Sequence, residues 1–101
     1  MGQHSDPTYL HRLTALFAMS ALANDVPVDF VRKYFLAVLT VLQTDRVANV
    51  RMNVAKAVQV LVPVCKSEPD ILNVLKNTLN VLSNDADADV KFFSQRAQKC
   101  I

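Results

Sequence analysis

Ala37-Val-Leu-Thr-Val-Leu-Gln-Thr-Asp-Arg-Val-Ala-Asn-Val-Arg51 and Asn77-Thr-Leu-Asn-Val-Leu-Ser-Asn-Asp-Ala-Asp-Ala-Asp-Val-Lys91 are two copies of one pattern, 40 residues apart. Leu39/Leu79, Val41/Val81, Leu42/Leu82, Asp45/Asp85, Ala48/Ala88 and Val50/Val90 are identical, and Arg51/Lys91 keeps the positive charge. Each copy closes one apolar stretch, turns around an aspartate and opens the next. Such a period, with two helices per unit, predicts stacked helix pairs in which the apolar residues of one pair cover the next.

Outward from this core, five helical segments separate. Asp6-Pro7 is expected to open the first, with an acidic cap and a proline in the first turn. Its apolar positions Leu10, Leu13, Phe17 and Ala21 follow the helical period. Asn24-Asp25-Val26-Pro27 breaks it. The second segment, about Val28 to Leu42, is apolar on more than one face, which predicts burial between neighbours. The third, about Val47 to Val62, is rich in valine, yet its 3.6-residue period and length outweigh the strand propensity. Pro63 is expected to end or kink it. Ser67-Glu68-Pro69-Asp70 reads as a capping box that starts the fourth, with Ile71, Leu72, Leu75, Leu79 and Leu82. A polar turn, Ser83 to Asp87, leads to the fifth, with Val90, Phe93, Ala97 and Cys100.

Leu-x-x-Leu, then Asp, then Val-Arg five residues on, is the pattern of HEAT repeats. The expected fold is therefore all-α: a HEAT-repeat solenoid, an armadillo-like α-α superhelix of about two and a half repeats and five helices. Asp45, Asp85, Arg51 and Lys91 are expected to form a charged ladder between neighbouring turns, with Asp85 meeting Arg51 or Asp45 meeting Lys91. Asp6 looks like a third turn aspartate, followed by Leu10 after four residues rather than five, so this turn should be one residue shorter. The expected organisation is a tail or remnant at 1–5 and a HEAT segment at 6–101. Within it, 6–24 is the second helix of a repeat, and 28–63 and 67–101 are full repeats. A half-repeat end leaves an apolar face uncapped, and self-association through that N-terminal face is an expectation.

Composition supports a folded helical domain. The chain has 101 residues, 51% hydrophobic and 20% charged, with a single glycine, Gly2, in the tail. That is enough apolar material for a core and too little glycine for a β-rich domain with many turns. The net charge of +2 is too balanced to imply nucleic acid or membrane partners. No apolar run approaches the roughly 20 residues of a membrane span. A signal peptide, a myristoylation site and a prenylation box are not expected: Asp6 stands where the myristoylation motif wants Ser or Thr. Cys65 and Cys100 read as two core thiols of a reducing compartment.

Three ordered blocks carry a closer resemblance: Asp6-Pro-Thr-Tyr-Leu-His-Arg-Leu-Thr-Ala-Leu-Phe17, Asp45-Arg-Val-Ala-Asn-Val-Arg-Met-Asn-Val-Ala-Lys56 and Asp89-Val-Lys-Phe-Phe-Ser-Gln95. They resemble the last repeats of the scaffold (A) subunit family of protein phosphatase 2A, from Asp6 to about Ala97. Regulatory subunit 1 of protein phosphatase 4 is a close alternative. The scaffold resemblance implies a non-catalytic horseshoe of fifteen repeats. Its C-terminal repeats would hold, by their turn ridge, the catalytic subunit of the serine/threonine phosphatase, in the cytoplasm and also the nucleus. By position it implies Tyr9 and Val47 as gripping residues, with His11, Arg12, Arg46 and Asn49 close by. The chain departs from the family at Arg46, where the family has proline, and in its acidic third turn, Asp85, Asp87 and Asp89.

A HEAT segment of a transport receptor or other carrier is the alternative function; it would bind peptides on the second and fourth helices, where Lys66 to Lys76 offers no obvious pocket. Asp85, Asp87 and Asp89 imitate the start of a calcium loop but lack its glycine and distal glutamate, so helix capping accounts for them better. His4 and His11 are too isolated for a metal or a catalytic base. With no nucleophile-base pair, phosphate-cradling loop or Cys/His cluster, neither enzyme activity nor a cofactor is expected.

Overall fold

The computed structural model describes residues 6–101. The tail at 1–5 and His4 lie outside the described residues. Five helices follow one another, with no strand among the described residues: α1 (Tyr9–Leu22), α2 (residues 28–42), α3 (Ala48–Val64), α4 (Pro69–Leu82) and α5 (Ala88–Gln98). α3 packs on α1 and α5, so the three form one layer. α2 and α4 form the other, and α4 also seats against α3 and α5. This two-layer stack is compatible with the HEAT-repeat solenoid that the sequence predicts. No described helix is long and apolar enough to cross a membrane.

The core runs through the stack as one cluster. Leu39 and Leu79, Leu42 and Leu82, and Val50 and Val90 are all buried. One further repeated apolar pair is not: Val41 and Val81 are exposed. Both follow a buried leucine by two residues, which turns them away from the neighbouring layer.

Several local expectations change. α1 starts at Tyr9, and its buried stripe is Leu13, Leu16 and Met19. Leu10 and Phe17 point outward. α2 is not buried all round: Val31, Phe35, Leu39 and Leu42 face the core, while Phe30, Tyr34 and Val41 are exposed. No described helix lies over that second face. The middle of α2 is a π turn, with the Leu36 amide donating to the Val31 carbonyl, five residues back. Pro63 lies one residue before α3 ends at Val64, close to where the helix is expected to stop. It sits in the last turn, where its missing N–H costs one bond only, and Cys65 N still donates to the Leu61 carbonyl at 3.0 Å. Cys65 is buried as expected, and burial pushes its thiol pKa up, but Cys100 is exposed.

The capping box at Ser67 does not form. Glu68 is the N-cap of α4 without a side-chain cap, and Pro69 opens the helix. A tertiary contact takes the acids instead. Arg32 of α2 reaches Glu68 at 2.6 Å, Asp70 at 2.7 Å and Asp29 at 2.5 Å. Arg32 thereby holds Asp70 below the usual carboxylate range.

Candidate functional site

The turns around Asp6, Asp45 and Asp85, which precede α1, α3 and α5, lie side by side along one edge, joined by Arg12 and Arg51. Their backbones are built alike. Asp6 accepts from Thr8 N at 3.0 Å, Asp45 from Val47 N at 2.9 Å and Asp85 from Asp87 N at 2.9 Å. The following helices begin at Tyr9, Ala48 and Ala88, each three residues after its aspartate. The first turn is therefore not one residue shorter. Matching Leu10 to Val50 and Val90 by hydrophobicity put it out of register. His11 holds their position, and it is exposed because no described helix covers it.

This register reveals the ladder. Arg51 donates from Nε to Asp85 Oδ2 at 2.7 Å and from Nη2 to Oδ1 at 3.1 Å. Arg12, also six residues after its turn aspartate, makes the corresponding ion pair one repeat earlier. Its Nη2 donates to Asp45 Oδ1 at 3.1 Å, and its Nε lies 2.5 Å from Oδ2. It also binds Asp6 at 2.7 Å, and Arg46 reaches the same Asp6 oxygen at 2.9 Å. Arg12 and Arg51 thus each pair with the aspartate of the next turn. Asp45 takes Arg12, not Lys91; Lys91 is exposed and forms no ion pair among the described residues. The six-residue Asp-to-Arg spacing, present in the sequence at Asp6 and Arg12, was the signal for this role.

The pairing shifts the charges. Hydrogen bonding from Arg12 holds Asp6 far below the usual carboxylate range, and Asp6 in turn raises Arg12. Arg51 lowers Asp85 likewise, and Asp85 raises Arg51. A double-mutant cycle on Arg51→Met and Asp85→Asn is expected to give a coupling of about 1 kcal/mol at neutral pH, between the values for exposed and buried pairs. Asp85 is depressed in the fold, so this stability is present above its unfolded pKa, near 3.9. It is lost as pH falls through the folded value. Urea titrations at pH 7 and pH 3 check both parts, and equal coupling at the two pH values would contradict the assignment.

The contact residues implied by resemblance divide. Tyr9 and Asn49 meet on the ridge: Asn49 Nδ2 donates to Tyr9 Oη at 2.5 Å, tying two turns together. The Arg46 side chain is 72% exposed beside them. Val47 is only 6% exposed; it is the N-cap residue of α3, turned into the core, so it is no surface contact. Arg12 is engaged in the ladder, and His11 faces a groove between α1 and α2. One ridge residue was missed. Leu10, 68% exposed, holds the position of Asn49 and Asp89 in the next two turns. The ridge thus passes from Tyr9 and Leu10 through Asn49 to Asp89, where Asn49, Met52, Asp87 and Asp89 line a hollow of about 260 Å³. Asp87 itself caps α5, accepting from Asp89 N at 2.9 Å and Val90 N at 3.1 Å.

No protein-family model matches the chain. It is similar to the regulatory A subunit of protein phosphatase PP2A from two yeasts. With that of Schizosaccharomyces pombe it is 39% identical over 69% of the chain, and with that of Saccharomyces cerevisiae 36% identical over 88%. The chain spans 12% and 15% of the length of these relatives. Both are named as regulatory subunits, in keeping with the expectation of a chain without catalytic activity.

Proposed function

We propose that this chain is a non-catalytic scaffold segment of a serine/threonine protein phosphatase, and that its turn ridge docks the catalytic subunit. The observation that carries the reading is the ridge itself. Three equivalent turns, locked in register by Arg12 and Arg51, present Tyr9, Leu10, Arg46 and Asn49 along one edge. A tyrosine beside an exposed arginine is the pairing of residue types enriched at interface hot spots, and Leu10 adds exposed apolar surface next to it. Similarity to the PP2A regulatory A subunits of two yeasts supports the choice of partner. In this reading the chain comprises a half repeat at 6–24 and full repeats at 28–63 and 67–101, and it acts in the cytoplasm or nucleus.

The test is capture of a PP2A catalytic subunit by the immobilised chain. Tyr9→Ala combined with Leu10→Asp is expected to weaken capture about tenfold or more, the loss of one interface anchor. Asn73→Asp, exposed in the first half of α4 and away from these turns, should leave it unchanged. Circular dichroism checks that both variants keep their helix content. Undiminished capture by the folded double variant refutes the ridge as the site.

A further inference from the structure

α3 is flanked by α1 and α5 within its layer and rests on α2 and α4, so what stays open on it is a side of the stack and not an end. Only three residues of α3 are exposed, Lys56, Val60 and Pro63, spaced four and three along one face. The register of the turns carries Lys56 onto Phe17 of α1 and Arg96 of α5, and Val60 onto Ala21 and Cys100, in steps of 39 and 40 residues. All four counterparts are exposed. Rows of equivalent residues thus cross the outer face of the three-helix layer. Helix pairs stacked on either end would lengthen these rows without covering them.

This face is cationic. All nine carboxylates of the chain lie in turns or at the second position of a helix. α1 and α3 contain none, and the one in α5, Asp89, stands at the ridge end. Arg12, Arg32 and Arg51 are engaged with carboxylates, whereas Lys56, Arg96 and Lys99 form no ion pair among the described residues. Contacts between α3 and α5 draw these cations together. The Lys56 ammonium lies 4.5 Å from the centre of the Phe93 ring, which supports the charge without neutralising it. Gln59 Nε2 donates to Cys100 Sγ at 3.7 Å. Arg96 stands between Phe93 and Cys100 on that side of α5, and Lys99 follows one turn on.

We propose that this face binds an acidic peptide segment of a protein partner, with carboxylates on Lys56, Arg96 and Lys99 and apolar side chains against Phe17 and Val60. Charge complementarity carries the choice: unpaired cations on a surface without acids attract carboxylates. Phe17 and Val60, 57% and 38% exposed, supply apolar surface beside them. Alternate side chains of an extended segment point to one side roughly 7 Å apart. Lysine and arginine on helices packed roughly 8–10 Å apart reach that spacing. Nucleic acid draws its affinity from many phosphate contacts at once, and this face sets its few cations beside apolar surface.

Fluorescence anisotropy on the 101-residue chain tests this with two labelled peptides. One has glutamate at every second position with leucine or alanine between; in the other each glutamate is glutamine. The glutamate peptide is expected to bind about tenfold or more tightly, and to lose that margin as salt rises. Lys56→Glu and Arg96→Glu should each weaken it about fivefold or more. Lys33→Glu and Lys76→Glu make the same charge change at exposed positions of α2 and α4, and should leave it within about twofold. Circular dichroism checks that all four variants keep their helix content. Equal binding of the two peptides overturns the proposal, as does a loss shared equally by all four variants, which net charge alone would explain. A single-stranded oligonucleotide that displaces the peptide at lower concentration and depends on the same residues also overturns it, assigning the face to nucleic acid. The face lies off the turn ridge, so the outcome is independent of phosphatase capture.

Discussion

Leu79→Ala is expected to remove about 2–5 kcal/mol of folding stability. A chain of this size has on the order of 5–15 kcal/mol in all, so this one truncation removes a substantial fraction of the total. Leu79 is fully buried in α4, within the core that joins its neighbours. Truncation loses the transfer energy of the deleted carbons and leaves a cavity that a helix held on several sides cannot collapse to fill. Val81→Ala, two residues on, is expected to change stability by less than about 0.5 kcal/mol, because Val81 is exposed. Both residues belong to the repeated motif, and both recur identically 40 residues earlier. Chemical denaturation of the two variants separates the core position from the surface one. Equal losses would mean that α4 does not face the stack as described.

Arg12→Met is expected to cause the largest loss on the ladder, lowering the melting temperature by roughly 5 °C or more. Arg12 pairs with the carboxylates of two turns, Asp6 and Asp45. The Asp6 side chain has no exposed surface and the Asp45 side chain is 8% exposed, so removing the guanidinium leaves two enclosed carboxylates. Arg46 remains for Asp6, but from an exposed position where water screens it. Arg46→Ala should therefore cost much less than Arg12→Met. The pH dependence gives a further check. In the native chain Asp6 is depressed, so its contribution is full above the unfolded pKa near 3.9 and fades as pH falls below it. Without Arg12, burial raises the pKa of Asp6, and protonation relieves the variant as pH falls. The gap between native chain and variant should then narrow from pH 7 towards pH 4; a gap that widens would contradict the pairing.

Much of the fold was legible because its signals are local. The aspartate of each turn accepts from an amide two residues on, and the apolar stripes of α3 and α4 recur every three or four residues. Neighbouring residues suffice for such patterns. The site was legible only in part. Tyr9, Arg46 and Asn49 do share the ridge, but Val47 looked the same in sequence and is turned inward as the N-cap of α3. Hydrophobicity also misled at Leu10, which resembles the core valines of the other turns and instead stands on the ridge.

The sequence by itself determined the repeat, its 40-residue period, the helices and the turn aspartates, since each rests on contacts a few residues apart. The tertiary structure alone decided which face of each apolar helix is covered. Phe30, Tyr34 and Val41 have the same helical spacing as buried residues, and only the absence of a described neighbour leaves them exposed. It likewise decided the partners of Arg12, Arg32 and Arg51, which lie 33 to 38 residues away. A carboxylate that can cap its own helix or meet a guanidinium from another repeat chooses between them by distance and burial, and both are set when the helices stack.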